Sequence, residues 1–259
     1  MTSCDQKPTK WMVYYGDLLT EEQLNGVALA ILEPAHIAPK KFPGVSTKFI
    51  GYVSIGEAEE YRPYWFDVMD KDFLVSKNPN WPKNHLVDIR SPAWQKMLLE
   101  KIIPPIVNKG YHGLFLDTID TAVYLETTDP VKFKGSKQAM IAFIKKLKQD
   151  YPSLTIITNN GLELLMDFGR NIDGVVVEDL YTRHDFKTKK NIKTPKDDME
   201  YKEAILSKFT NYYNKPVYNI LYADSPTSSL AKFGIARSAS KGYNWYVTTV
   251  DLMKIGTMQ

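Results

Sequence analysis

The chain has 259 residues, 44% hydrophobic and 24% charged, with 33 basic side chains, 30 acidic ones and a single cysteine. This composition excludes intrinsic disorder, collagen and coiled coil, and a net charge of +3 is too small to argue for nucleic acid or an anionic membrane as partner. One cysteine rules out internal disulfides, thiolate zinc sites and iron–sulfur clusters, and no apolar run nears the roughly 20 residues of a membrane span.

In chain order, residues 1–9 read as a flexible N-terminal tail. Met1-Thr-Ser-Cys-Asp-Gln6 has no apolar signal-peptide core. Small residues just ahead of Cys4 match the end of a lipoprotein cleavage site, which would make Cys4 a lipid anchor; an incidental cysteine on a cytosolic tail is the other reading.

Strand candidates follow at Trp11–Tyr15, Ala28–Leu32, Phe49–Ile55, Gly113–Asp117, Leu154–Thr158, Gly174–Glu178, Val217–Tyr222 and Tyr243–Thr249. Between them lie amphipathic stretches. Ser91-Pro92 opens a helix with Trp94, Met97, Leu98 and Ile102 inward, and Pro104-Pro105 is expected to kink or end it before Gly110. Met140, Phe143, Ile144, Leu147 and Tyr151 form one apolar stripe; Tyr201, Ala204, Ile205, Phe209 and Tyr212 mark another helix. A further helix runs from Leu230 to Lys241 and is capped by Gly242. Two long inserts break the rhythm. Glu57–Arg90, after the third strand, holds Tyr61, Tyr64, Trp65, Phe66 and Trp81; Tyr181–Asp198, after the sixth, holds Lys187, Lys189, Lys190, Lys193 and Lys196.

Near-continuous apolar strands joined by helices, with no hairpins between them, describe a parallel sheet buried on both faces, and about 250 residues is the size of one (β/α)8 TIM barrel. Residues 10–259 are expected to be that single α/β domain. A doubly wound open sheet is the runner-up, but no G-x-G-x-x-G follows the first strand.

In such a barrel the active site lies at the C-terminal ends of the strands. Asp17, Glu33, Glu57, Glu59, Asp117, Asp120, Glu178, Asp179, Asp224 and Asp251 all end or just follow a predicted strand. About half of these read as caps, notably Asp17, Asp224 and Asp251. Asp117 and Glu178 follow directly on Leu114-Phe-Leu116 and Val175-Val-Val177, which aims them into the barrel mouth. A carboxylate pair there suits hydrolysis of a glycosidic bond, one group as acid and the other as base or nucleophile; a metal-binding pair or structural polar residues are the alternatives. His36, His85, His112 and His184 lack metal-ligand spacing, so neither metal nor cofactor is expected. Tyr52, Tyr61, Tyr64, Trp65, Tyr181, Tyr222, Trp245 and Tyr246 lie near the same rim, where flat rings stack on pyranosides, although most aromatics in a chain this size are core. Asn159 and Asn160 suit sugar hydroxyl or N-acetyl groups, or form the turn before Gly161.

The run Tyr52-Val-Ser-Ile-Gly-Glu-Ala-Glu-Glu-Tyr-Arg-Pro-Tyr-Trp65 resembles the signature of glycoside hydrolase family 114, the endo-α-1,4-polygalactosaminidase superfamily. Val87-Asp-Ile-Arg90 with Trp94-Gln95, Phe115-Leu-Asp-Thr-Ile-Asp120, Thr158-Asn-Asn-Gly161 and Val177-Glu-Asp-Leu-Tyr181 extend the likeness from about Lys10 to Leu252. The resemblance implies a barrel that cleaves α-1,4-linked galactosamine or N-acetylgalactosamine polymers. It implies Asp117 as nucleophile or base, Glu178 as proton donor, and Glu57, Glu59 and Arg62 shaping the cleft. Tyr52, Trp65, Asp120, Asn159, Asn160, Tyr181, Tyr222 and Trp245 complete the expected substrate-binding set. Fungal members carry Asp-Asn where this chain has Asp117-Thr118, so it resembles the bacterial, Pel-type branch more closely. The expected partner is an exopolysaccharide, met outside the cytoplasm by a monomer. A catalytically silent carbohydrate-binding barrel is the rival from another class, and a Schiff-base lyase or aldolase lacks a lysine in the predicted core strands. The five lysines of the second insert either point away from the cleft or imply a neutral or anionic substrate.

Overall fold

All eight predicted strands form, each within a residue of its expected bounds. They are β1 (Trp11–Tyr14), β2 (Leu29–Leu32), β3 (Lys48–Ser54), β4 (Gly113–Asp117), β5 (Thr155–Asn159), β6 (Gly174–Val177), β7 (Val217–Tyr222) and β8 (Asn244–Thr248). Each pairs in parallel with the next, in chain order, and all are buried along most of their length. The computed structural model describes residues 9–259; Cys4 and its lipid-anchor reading lie outside the described residues.

The result is a (β/α)8 barrel that is nearly closed. At the seam between β8 and β1, Trp11 packs against Tyr218 and Tyr246, with ring centroids 5.1 and 5.6 Å away. A short antiparallel strand, Thr257–Met258, pairs with the free edge of β8, and the Tyr15 N–H donates to the Leu252 carbonyl at 2.8 Å. Long helices follow only some strands. β1 and β2 are followed by single 3-10 turns, and the full helices are Pro92–Asn108, Asp120–Thr128, Ser136–Asp150, Lys196–Tyr213 and Ser229–Ser240. No helix among the described residues is long and apolar enough to cross a membrane.

Two helices differ from expectation. The helix opened by Pro92 runs on through Pro104-Pro105 to Asn108, because Leu98–Ile102 widen into a π turn. A proline has no N–H and its ring clashes with the carbonyl four residues back; those carbonyls belong to Glu100 and Lys101, inside the widened turn. The extra residue shifts the buried stripe from Ile102 to Ile103, so Trp94, Leu98, Ile103 and Ile106 face inward. In Lys196–Tyr213 the inward residues are Met199, Glu203, Leu206 and Phe209, while Tyr201 and Tyr212 are exposed. Glu203 is placed inward by pairing with Arg237 and Lys241 at 2.5 and 3.0 Å, a polar anchor that an apolar pattern does not show.

The inserts are ordered. Glu57–Glu59, Leu74–Lys77 and Asn84–Val87 form a three-stranded antiparallel sheet over the mouth, and Thr182–Asp185 with Lys190–Lys193 form a hairpin. The first insert rests on Trp94, whose indole N–H donates to the Ile55 carbonyl at 2.8 Å and whose ring touches Tyr64 and Phe73. Trp94→Ala is expected to lower stability by about 3–5 kcal/mol in denaturant unfolding; a loss under about 1 kcal/mol would show that the insert holds itself.

Candidate active site

Three neighbouring strands deliver the central side chains by the same device. β4 ends in Asp117, β5 in Asn159, and Glu178 follows β6; each is succeeded by a non-glycine residue in the left-handed region, Thr118 (φ 63°), Asn160 (φ 48°) and Asp179 (φ 55°). Such conformations are costly, most of all for a β-branched threonine, and persist only where surrounding contacts hold them. The Thr118 hydroxyl accepts the Gly56 N–H at 2.8 Å and lies 2.9 Å from Ser54 Oγ. Gly56 cannot be replaced without disturbance, since a Cβ there would sit 2.1 Å from the Thr118 carbonyl oxygen. Asn160 Oδ1 accepts the Glu178 N–H at 3.1 Å. The Asp179 carbonyl accepts from Thr194 and from Lys202, both at 3.1 Å, and Lys202 also reaches the Glu178 carbonyl at 3.2 Å.

The two acids are tied together through one amide. Asn159 Nδ2 donates to Asp117 Oδ1 and to Glu178 Oε2, each at 2.9 Å. The two carboxylate oxygens that share this amide are therefore less than about 6 Å apart, and about 5 Å apart at the roughly 120° between the N–H bonds of an amide. Each acid also receives one phenol: Tyr52 donates to Asp117 Oδ2 at 3.0 Å, and Tyr222 donates to Glu178 Oε1. Burial and the charge of Glu178 push Asp117 up to about 6, against the pull of these hydrogen bonds. Burial raises Glu178 as well, opposed by Tyr222 and Asn159. The pair thus keeps a proton in a range where ordinary carboxylates have lost theirs.

Around the pair lies a cleft of about 720 Å³. Glu33 and Glu59 do not act there as free anions. Arg62 binds Glu33 through both terminal nitrogens at 2.6 and 2.9 Å and Glu59 through Nε at 2.6 Å, and stacks on Tyr52 and Tyr61. Glu57 accepts the side-chain amides of Asn78 and Asn84 at 2.9 and 3.1 Å. Among the described residues Asp120 receives only the Gly161 N–H, at 3.3 Å, and burial pushes it up to about 6. Burial also raises Asp179 and lowers Lys202, whose amine faces both of these acids.

Of the expected residues, Tyr52, Glu57, Arg62, Asp117, Asp120, Asn159, Asn160, Glu178 and Tyr222 line this cleft, and Glu59 sits directly behind it, bonded to Tyr52, Tyr61 and Arg62. Three do not reach it. Trp65 packs at a tilt against His85 within the first insert. Tyr181 is fully buried, edge-on to Phe233 and beside Arg237. Trp245 falls on the outer face of β8, out of phase with Tyr246, whose ring points inward onto Trp11. The five lysines of the second insert are exposed and none lines the cleft. Tyr15, Asn78, Trp81, Asn84, His184, Phe186 and Lys202 join the site or its supports without having been expected. Among the described residues no group of three His, Cys, Asp or Glu side chains is arranged to hold a metal.

The model of glycoside-hydrolase family GH114 matches residues 6–259. An uncharacterized protein of Deinococcus radiodurans is 27% identical over 98% of this chain and 86% of its own. Among solved structures, the glycoside hydrolase domain of PelA from Pseudomonas aeruginosa superposes with a TM-score of 0.84 at 23% identity, covering 97% of this chain and 99% of that one. Aspergillus fumigatus Ega3, solved in complex with galactosamine, gives 0.73 at 18% identity, covering 100% and 99%. At these identities the likeness to both structures is one of fold.

The raised Asp117 has a consequence for stability. Its folded pKa of about 6 exceeds the unfolded value of about 3.9, so ionisation disfavours the fold fully above pH 6 and not at all below about pH 4. Asp117→Asn is expected to be more stable than the parent at pH 7–8, by on the order of 2–3 kcal/mol, and to lose that advantage near pH 4. Thermal melts of both proteins across pH 4–8 check this; a parent more stable than the variant at pH 8 contradicts it.

Proposed function

The chain belongs to glycoside-hydrolase family GH114, and from that premise we propose that it is an endo-acting hydrolase of α-1,4-linked galactosamine or N-acetylgalactosamine polymers. The observation that carries the reading is the pair of buried acids, Asp117 and Glu178, bridged by Asn159 at the C-terminal mouth of the barrel. A separation of about 5 Å suits double displacement with retention, since inversion needs about 6.5–9.5 Å to admit a water.

In this reading Glu178 protonates the departing glycosidic oxygen while Asp117 attacks the anomeric carbon. The C1–O bond breaks, and a glycosyl ester forms on Asp117. Glu178, now ionised, takes a proton from water, which attacks the same carbon and frees Asp117. Asn159 and Tyr52 hold the Asp117 carboxylate in line, and Tyr222 does the same for Glu178.

An amino-sugar polymer fits the lining. Asp117, Asp120, Glu178, Asp179 and Asp251 converge on the cleft, and Arg62 is engaged by its own glutamates, so a cationic sugar meets net negative charge. The crystal of Ega3 with galactosamine favours the same sugar class. An exopolysaccharide substrate of this kind supports a site of action outside the cytoplasm.

Incubation with purified galactosaminogalactan, Pel-type polymer and chitosan, followed by reducing-end assay, tests the proposal. Glu178→Gln and Asp117→Asn should each lower the rate by at least about 10²-fold. The parent's rate should fall below about pH 6, as the attacking Asp117 takes up a proton, and fall again toward alkaline pH, as Glu178, raised by burial, gives up the proton it donates. Binding of the polymer without any new reducing ends would instead identify a silent carbohydrate-binding barrel.

A further inference from the structure

The two inserts leave the rim after β3 and β6, so β4 and β5, which carry Asp117 and Asn159, lie between them. Their tips nevertheless meet. Trp81 of the first insert and Phe186 of the second are in edge-to-face contact, with centroids 5.5 Å apart and planes at 79°. Both line the catalytic cleft, and both are partly open to solvent, 47% and 40% exposed. Large aromatics left half in water at the wall of a cleft have surface available for a ligand.

Neither tip is a loose loop. The Trp81 segment is fixed from below: Asn78 and Asn84 donate their side-chain amides to the two oxygens of Glu57, Asn78 Oδ1 accepts the Trp81 N–H at 3.2 Å, and the Asn84 N–H returns to the Trp81 carbonyl at 2.8 Å. Phe186 sits at the turn of its hairpin, where Asp185 accepts the N–H groups of Lys187 and Thr188. His184 packs edge-on to Phe186 at 5.2 Å and bonds Asn191, which in turn donates to Asp224 in the loop after β7 at 2.7 Å. A surface held this firmly gives up little conformational entropy when it binds.

We propose that Trp81 and Phe186 form a preorganised stacking platform for a pyranose ring of the polymer beyond the sugars at the cleaved bond, with Glu57 as the positioning residue that fixes Trp81. The inference rests on the polysaccharide reading of the site and specifies how a chain, as opposed to a single sugar, is held. The platform joins the two inserts and lines the same cleft as Asp117 and Glu178, so a chain seated on it has the acids within reach along that cleft.

The test compares galactosamine polymer with an aryl α-galactosaminide, using the intact chain. Trp81→Ala and Phe186→Ala should each lower the polymer-to-aryl ratio of kcat/KM by about tenfold, mainly through KM, as loss of one stacked ring predicts. Trp81→Phe should recover most of the ratio. Glu57→Gln, able to accept only one of the two asparagine amides with its oxygen, should lower it in the same sense but less. In the Asp117→Asn background, titration calorimetry with a galactosamine hexasaccharide should show about tenfold weaker binding when Trp81 is also alanine. If the parent cleaves neither substrate, the glycosidase reading fails. If it cleaves both and the ratio is unchanged in Trp81→Ala and Phe186→Ala, the platform is rejected and the glycosidase reading stands.

Discussion

Two carboxylates bridged by a single amide in the mouth of a barrel repel one another and lose their water. Asn159 answers this by giving one hydrogen to each, and Tyr52 and Tyr222 supply a phenol to each outer oxygen. Everything near the mouth is arranged around keeping those donors in place. Arg62, in the same cleft, is held by Glu33 and Glu59, and Lys202 binds the main chain behind Glu178 instead of its carboxylate. A full positive charge on either acid would depress its pKa and empty the pair of the proton that the proposed hydrolysis uses.

The same requirement explains where strain is tolerated. Asp117, Asn159 and Glu178 each need to stay pointed at the barrel axis while the chain turns away at once, and the left-handed residue behind each one makes that turn in a single step. Thr118 is the most expensive of the three, and it is the one held by contacts from the β3 loop, through Ser54 and Gly56. Strand β3 therefore contributes twice, once through the Tyr52 phenol and once by bracing the backbone of the acid that phenol touches.

Much of this was legible in the sequence. Barrel strands covered on both faces must be apolar throughout, so they stand out as runs, and the first polar residue after such a run is the one left at the mouth. That logic pointed to Asp117 and Glu178 directly, while Asn159 stood out only as an amide ending the fifth strand. It failed where phase matters more than proximity: Trp245 is one residue from an inward position and so faces outward, and Tyr181 lies past the turn, where the chain has already dived into the core. It also failed where partners are remote in sequence. Nothing local in Asn78 or Asn84 announces that both grip Glu57, and a lysine on an amphipathic helix, such as Lys202, reads as solvent-facing. The contact of Trp81 with Phe186 exists only because two inserts of different architecture reach the same height above the rim.

The π turn at Leu98–Ile102 bears on how this chain can be compared with its relatives. It lodges one residue more between Leu98 and the next inward contact, Ile103, than an unbroken helix would use, and it is there because Pro104 and Pro105 need the slack. A relative without those prolines has no use for the extra residue and can drop it while keeping Trp94 seated under the first insert. A gap of a single position here therefore records the gain or loss of a bulge, and the residues on both sides of it remain structurally equivalent.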